Sequence, residues 1–230
     1  MKKNILFVCE GSTEVFLLYK ILKKEFKIKI DKSVEDNGNL DLKKIRDILN
    51  KIAGTENCNI YIANLDGETN LNPYIEVLCN HREFGDLDKV SFIMDADSKK
   101  GEDSGFIRTK KAIENVITIL KSNNDNLNTK YFITPNNNDD GMTEDILVEA
   151  IKCKVITSYI KNDVIPTLCA MEGNEITNVN KSTFMIVAAT QNPLRGSAPS
   201  FITTCYNKLD SENVYLKNFI LFIKESLIEN

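Results

Sequence analysis

A chain of 230 residues with 42% hydrophobic and 27% charged residues is long enough for one α/β domain and too apolar for a disordered polymer. Its 29 Lys and Arg against 33 Asp and Glu leave a net charge of −4 and a pI near 5.3, which excludes a broad basic face holding nucleic acid by its phosphates alone. The balance suits a local arrangement instead, with acidic residues for metal and separate basic residues for substrate.

Residues 4–9 (NILFVC) form a short apolar run of the kind a buried parallel strand shows. Gly11, Ser12 and Thr13 break it and offer a helix start, and Val15, Phe16, Leu18, Tyr19 and Leu22 continue at helical spacing to about Phe26. Residues 27–30 alternate as a strand, and Asp36-Asn37-Gly38-Asn39 is a turn cluster. Leu42, Ile45, Ile48, Leu49 and Ile52 predict a helix over 41–52. A strand over 59–64 and a helix over 73–79 follow, with Pro73 suited to a first turn.

Residues 90–94 are another buried strand, ending at Asp95-Ala96-Asp97. The pattern then gives an amphipathic helix over 107–120, a strand over 130–133 and a polar loop over 135–141. A helix opening at Thr143 runs through Ile151 and on toward Ile160. Residues 184–189 read as a strand, 191–200 as a loop carrying Arg195, and 215–227 as a closing helix. Alternating strands and helices predict a mostly parallel sheet with right-handed crossovers. We expect a core over 1–160 and an extension over 161–230 packed on the same domain.

Six cysteines (Cys9, Cys58, Cys79, Cys153, Cys169 and Cys205) form no CxxC pair, and Cys9, Cys79 and Cys153 are read as small buried hydrophobes. A reduced, cytoplasmic setting follows, without membrane association, since the first apolar run is too short for a signal peptide and none approaches a membrane span. No Walker A, GxGxxG or GxSxG pattern occurs, and the single His81 leaves no hydrolase triad.

Ligands of open α/β sheets bind at the carboxyl ends of the strands, where this sequence places acids. Glu10 ends the first strand, with Gly11 letting the backbone turn. Glu14 lies in the next helical turn, either as a helix N-terminal charge or as a ligand. Asp95 and Asp97 leave another strand at i, i+2, on one face. All-oxygen donors with no thiolate or histidine cluster point to Mg²⁺, Mn²⁺ or Ca²⁺ rather than Zn²⁺. Lys99, Lys100, Arg108, Lys110 and Lys111 beside Asp97 are either phosphate contacts or a solvated helix face. Arg195 in its Gly/Ser loop is either a phosphate clamp or a turn residue.

Glu10-Gly11-Ser12-Thr13-Glu14 resembles the first motif of TOPRIM domains, in the form found in overcoming-lysogenization-defect (OLD) nucleases and related small bacterial proteins. Phe92-Ile93-Met94-Asp95-Ala96-Asp97 resembles their second signature, a hydrophobic strand ending in DxD. Pro135-Asn136 with Gly141-Met142-Thr143-Glu144-Asp145 is similar to a segment of an uncharacterised TOPRIM-like family. The resemblance covers residues 4–150 and implies a Rossmann-like TOPRIM fold, here with an extra strand–helix unit and a C-terminal extension.

It also implies a nuclease acting on DNA or RNA with Mg²⁺ or Mn²⁺. Glu10, Asp95 and Asp97 would be catalytic. Glu10, Glu14, Asp95, Asp97 and Glu144 would surround the metal, with Asp145 the rival of Glu144. Gly11, Lys99, Lys100, Arg108 and Arg195 are the substrate contacts. The alternatives are a non-catalytic binding module working with a partner ATPase chain, or a small RNA-processing ribonuclease. A homodimer and a role in phage defence are further expectations of this resemblance.

Overall fold

The computed structural model describes residues 2–98, 103–173, 175–190 and 196–228. The first strand, β1 (Lys3–Cys9), is the apolar run read from the sequence, and α1 (Ser12–Lys24) follows at once. A small hairpin pairs β2 (Glu35–Asp36) with β3 (Asn39–Leu40), turned by Asn37 and Gly38 at φ of 47° and 76°. Next come β4 (Asn50–Gly54), β5 (Cys58–Asn64), α2 (Leu71–Cys79), β6 (Lys89–Asp95), α3 (Gly105–Asn123) and β7 (Asn128–Thr134).

These strands form one sheet in the order β4-β5-β1-β6-β7, parallel throughout except for β4, which runs against β5. Alternation along β1 divides the core between two faces. Ile5, Phe7 and Cys9 join one apolar cluster with α1, while Leu6 and Val8 join a second with α2 and α3. The chain is thus an α/β protein with a mostly parallel central sheet flanked by helices.

The remaining helices cover the α1 face. They are α4 (Thr143–Ala150), α5 (Lys154–Tyr159), α6 (Ile165–Cys169), α7 (Val179–Ala189), α8 (Ala198–Cys205) and α9 (Val214–Leu227), and a π-helical turn, Ile160–Val164, joins α5 to α6. One apolar cluster contains Ile5 and Phe7 from the sheet together with Phe184, Phe201 and Phe219 from α7, α8 and α9. Phe132 of β7 meets Phe219 edge-on at 5.2 Å between ring centres. Beneath α9, Ser91 and Ser226 share a buried hydrogen bond of 3.0 Å, and Lys89 Nζ donates to the carbonyl of Ile228 at 3.1 Å.

Several expectations from the pattern are corrected. Residues 41–52 are not a helix: a 3₁₀ turn, Leu42–Lys44, follows the Asp41 side chain, which accepts from Lys43 N, and Asn50 then begins β4. Pairing with β5 outweighs the helical spacing there. Residues 184–189 belong to α7, because Asn178 caps the helix and Thr183, Phe184, Val187 and Ala188 face inward at helical spacing.

Residues 27–30 make only the isolated bridge from Ile30 to Ala53. The helix from Thr143 ends at Ala150, where Asp210 N and Lys152 N bond across to the neighbouring segment instead of continuing the turn. Cys79 is only partly buried and Cys153 is exposed, so neither is the fully buried apolar residue expected. Among the described residues no helix is long and apolar enough to cross a membrane.

Candidate functional site

The order of the sheet selects one place on it. From β1 the chain moves to β5 on one side, then returns to add β6 and β7 on the other, so the strand order reverses between β1 and β6. A crevice opens at the carboxyl ends of the strands at such a point, and it is where ligands bind in open α/β sheets. Glu10 lies at one lip and Asp95 at the other. The Glu10 backbone N–H donates to Ile93 of β6 at 3.0 Å, and its Oε2 accepts from the Asp95 N–H at 3.0 Å.

Each neighbouring acid is held by a local device. Glu14 Oε2 accepts from Gly11 N at 2.8 Å, capping α1, and the residue is only 3% exposed. A Cβ on Gly11 would sit 3.2 Å from that same oxygen, and its φ of −145° is ordinary extended backbone. Gly11 therefore provides space for Glu14 rather than the sharp turn expected of it.

Asp95 is turned inward. Its Oδ1 accepts from Thr134 Oγ1 at 2.6 Å and from both N and Oγ1 of Thr143 at 3.0 Å. Asp97 is not its simple strand neighbour: at φ of 59° it leaves the extended conformation and exchanges two backbone bonds with Gly141, of 2.7 and 2.9 Å. Gly105, the first residue of α3, lies so close to this strand end that a Cβ on it would collide with the carbonyl oxygens of Ala96 and Asp97. A cavity of about 430 Å³ beside Asp97 is lined by Asp140, Asp145, Lys161 and Asn178.

A family model described as "Protein of unknown function (DUF3226)" matches residues 3–228. The chain belongs to the DUF3226 family. Among solved structures, it resembles the crystal structure of hypothetical protein PH0156 from Pyrococcus horikoshii OT3, with a TM-score of 0.55 and 13% identity over 97% of this chain and 95% of that one. At that identity the likeness shows a shared fold alone. No match was found among curated proteins.

In this DUF3226 chain the acids perturb one another strongly. Burial first, then repulsion from Asp95, Asp97 and Glu68, pushes the Glu10 carboxyl up to about 8, against the bond from Asp95 N. Burial, then Glu144 and Glu10, pushes Glu14 up to about 7, although hydrogen bonds including one from Thr143 oppose the shift. Asp95 is raised well above the usual carboxylate range by burial, Glu14 and Glu144.

Thr143 has one hydroxyl proton and faces both Glu14 and Asp95. It satisfies one ionised carboxylate at a time.

On α4, Asp145 Oδ2 accepts from Met142 N at 2.7 Å and supplies the helix cap. Glu144 is 7% exposed, raised by burial and by Asp145 and Asp97, and countered by Lys181. The two candidates on this helix thus divide their roles: Asp145 caps, and Glu144 faces the acidic group.

The structure therefore brings Glu10, Glu14, Asp95, Asp97 and Glu144 into mutual electrostatic reach. Yet among the described residues no three His, Cys, Asp or Glu side chains are arranged as a ready metal cage. The donors are all hard oxygens, and one oxygen each of Glu10, Glu14 and Asp95 is taken by a protein donor. The oxygens left over on these three carboxylates are the ones that could hold a hard cation.

Of the basic candidates, Arg108 reaches the rim. Its Nε lies 3.8 Å from Glu68, and its guanidinium donates to the carbonyls of Ser98 and Ala96 at 3.4 and 3.5 Å. Lys110 and Lys111 pair with Glu114 and Asp103 on the surface of α3. Lys99, Lys100 and Arg195 lie outside the described residues. Sequence reasoning missed Glu68, Thr134, Thr143 and Lys181, whose residue types carry no spacing signal.

Proposed function

We propose that this DUF3226 protein performs divalent-metal-dependent phosphodiester chemistry on nucleic acid, as a nuclease of the TOPRIM and OLD type. The observation that carries the proposal is the meeting of Glu10 and Asp95 across the reversal of strand order, within a group of acids whose protons are held far above their ordinary range. Like charges so close disfavour the empty, fully ionised state, and a hard dication relieves them. Mg²⁺ or Mn²⁺ bound here would stabilise charge on phosphoryl oxygens and acidify a water.

The chain's own residues would divide the remaining tasks. Glu10, fixed at the strand end by the bond from Asp95 N, would face the bound phosphate as a metal ligand or proton acceptor. Thr134 and Thr143 fix Asp95 in one orientation, and Arg108 supplies positive charge at the rim. The test is incubation with labelled DNA and RNA in Mg²⁺ or Mn²⁺. Cleavage that is lost in EDTA and in Asp95→Asn is the expected result. No metal-dependent cleavage of either substrate would overturn it, and RNA-only cleavage would select the RNA-processing form.

A second reading is a non-catalytic TOPRIM-like module acting with a partner ATPase. What favours it is Asp95 Oδ1, which already accepts three protein hydrogen bonds as a structural carboxylate would. Recovery of a stoichiometric ATPase from the native host, with function intact in Glu10→Gln, would select it.

A further inference from the structure

We infer that a second cavity at the carboxyl end of β5 receives one unstacked nucleoside of a single-stranded substrate, beside the phosphodiester presented to Glu10. The inference rests on the nuclease reading above and adds the part of the substrate recognised next to the scissile bond.

The cavity has a volume of about 460 Å³, within the range of small-molecule sites. Its wall is the segment that the sequence pattern mistakes for a helix. Because β4 runs against β5 with Asn50 opposite Ile62, residues 42–49 are carried past the carboxyl end of β5. They are fixed there. Tyr74 Oη donates to the Ile48 carbonyl at 2.7 Å, and Asn50 bonds Asp47 N at 2.9 Å and the Ile62 carbonyl at 3.1 Å.

The lining combines three chemistries. Leu42 and Ile48, each partly exposed, give an apolar wall against which a base can lie. Lys43 and Arg46 are exposed and, among the described residues, neither has an ion-pair partner. Asn64 is half-buried, and its Oδ1 is shut off from solvent without a hydrogen-bond partner. A buried amide oxygen without a donor is satisfied once the side chain turns into the cavity and meets a donor on a base edge.

Asp47 and Asp66 also line the cavity, so its formal charge is balanced. A site for a bare phosphate would be cationic. A balanced site with an apolar wall, an unsatisfied amide oxygen and two cations without ion pairs suits a nucleoside with one flanking phosphate.

Its position supports the same conclusion. Asn64 is the ladder partner of Cys9, Leu65 N donates to the Cys9 carbonyl at 2.9 Å, and Gly67 N donates to that of Glu10 at 2.9 Å. The cavity and Glu10 thus stand at the ends of neighbouring strands of the sheet. A strand presenting its phosphodiester to Glu10 lays the adjoining nucleotide over the cavity.

The test is fluorescence anisotropy in EDTA with a short fluorescein-labelled single-stranded oligonucleotide, for the wild type, Arg46→Ala, Asn64→Leu and Glu10→Gln, with cleavage in Mn²⁺ measured in parallel. We expect Arg46→Ala and Asn64→Leu each to weaken binding about tenfold, the scale of a lost stacking or hydrogen-bond contact, and Glu10→Gln to bind normally. Asn64→Leu should melt no lower than wild type, separating lost binding from lost folding.

Unchanged binding and cleavage in both cavity variants would overturn the inference while leaving the nuclease reading intact. Binding that depends on Arg46 and Asn64 without any cleavage would do the reverse. An absence of wild-type binding, or equal affinity for a free mononucleotide, would overturn the assignment to a single strand.

Discussion

Glu10 accepts the backbone N–H of Asp95 at 3.0 Å, joining two strand ends that lie 85 residues apart in the chain. The bond fixes the Glu10 carboxylate over the reversal of strand order, and an amide oxygen could accept it equally well. Glu10→Gln should therefore fold, lose the charge, and cut cleavage by about 100-fold or more. Its metal-free stability at alkaline pH should rise by about 1 kcal/mol, or about 2–4 °C, as repulsion is removed. Activity and melting temperature moving in the same direction would contradict this account.

The acids also set a pH dependence of the metal-free protein. Glu10 and Glu14 are raised to about 8 and about 7, whereas in the unfolded chain both titrate near their usual value of 4.5. Between these limits the folded chain holds protons that the unfolded chain has released, so folding loses stability as pH rises. Calorimetry in EDTA should show the melting temperature falling from about pH 5 to about pH 8.5, and Mg²⁺ restoring it most at the alkaline end. A flat profile with no metal response would remove the electrostatic basis of the site.

Asp95 has a structural debt as well. Asp95→Ala leaves Thr134 Oγ1 and Thr143 N without their acceptor, while the Thr143 hydroxyl can turn to Glu14, and should destabilise by about 2 kcal/mol in urea unfolding. Asp95→Asn keeps an acceptor and should lose less than half as much. Equal losses would mean that these bonds do not hold the strand end together.

The helices after residue 160 share their core with the sheet. Phe132→Ala, which removes the ring packed on Phe219 and Phe222, should cost about 3–5 kcal/mol. Unfolding followed by circular dichroism and by tyrosine fluorescence should still coincide in one transition. Two separated transitions would show that the closing helices melt apart from the sheet.

What the sequence made legible was whatever rests on long, one-sided periodicity. The NILFVC run, the strand ending at Asp95, and the amphipathic stretches that became α3 and α9 all stand where the pattern places them. The segment 41–52 carries an equally good helical spacing, but its apolar residues serve to pin a loop and begin an edge strand, which only the pairing with β5 reveals. Residues 184–189 are apolar enough for a strand. Their helical identity depends on the Asn178 cap and on what faces the core.

The site divides in the same way. Carboxylates at strand ends stand out from apolar runs, so Glu10, Asp95 and Asp97 could be named in advance. Thr134, Thr143, Glu68 and Lys181 could not, because ordinary side chains become part of a site only through the topology that delivers them. The i, i+2 alternation expected of Asp95 and Asp97 stops at Asp97, which adopts a left-handed conformation.

The cover that α9 gives to β6 and β7 bears on how the protein is made. Both strands emerge from the ribosome well before residues 214–227, so Ile93 and Phe132 lack their final partners while much of the chain is still being translated. During that interval the nascent polypeptide presents a sticky, half-built surface, and it is there that a cell's folding helpers have something to grip.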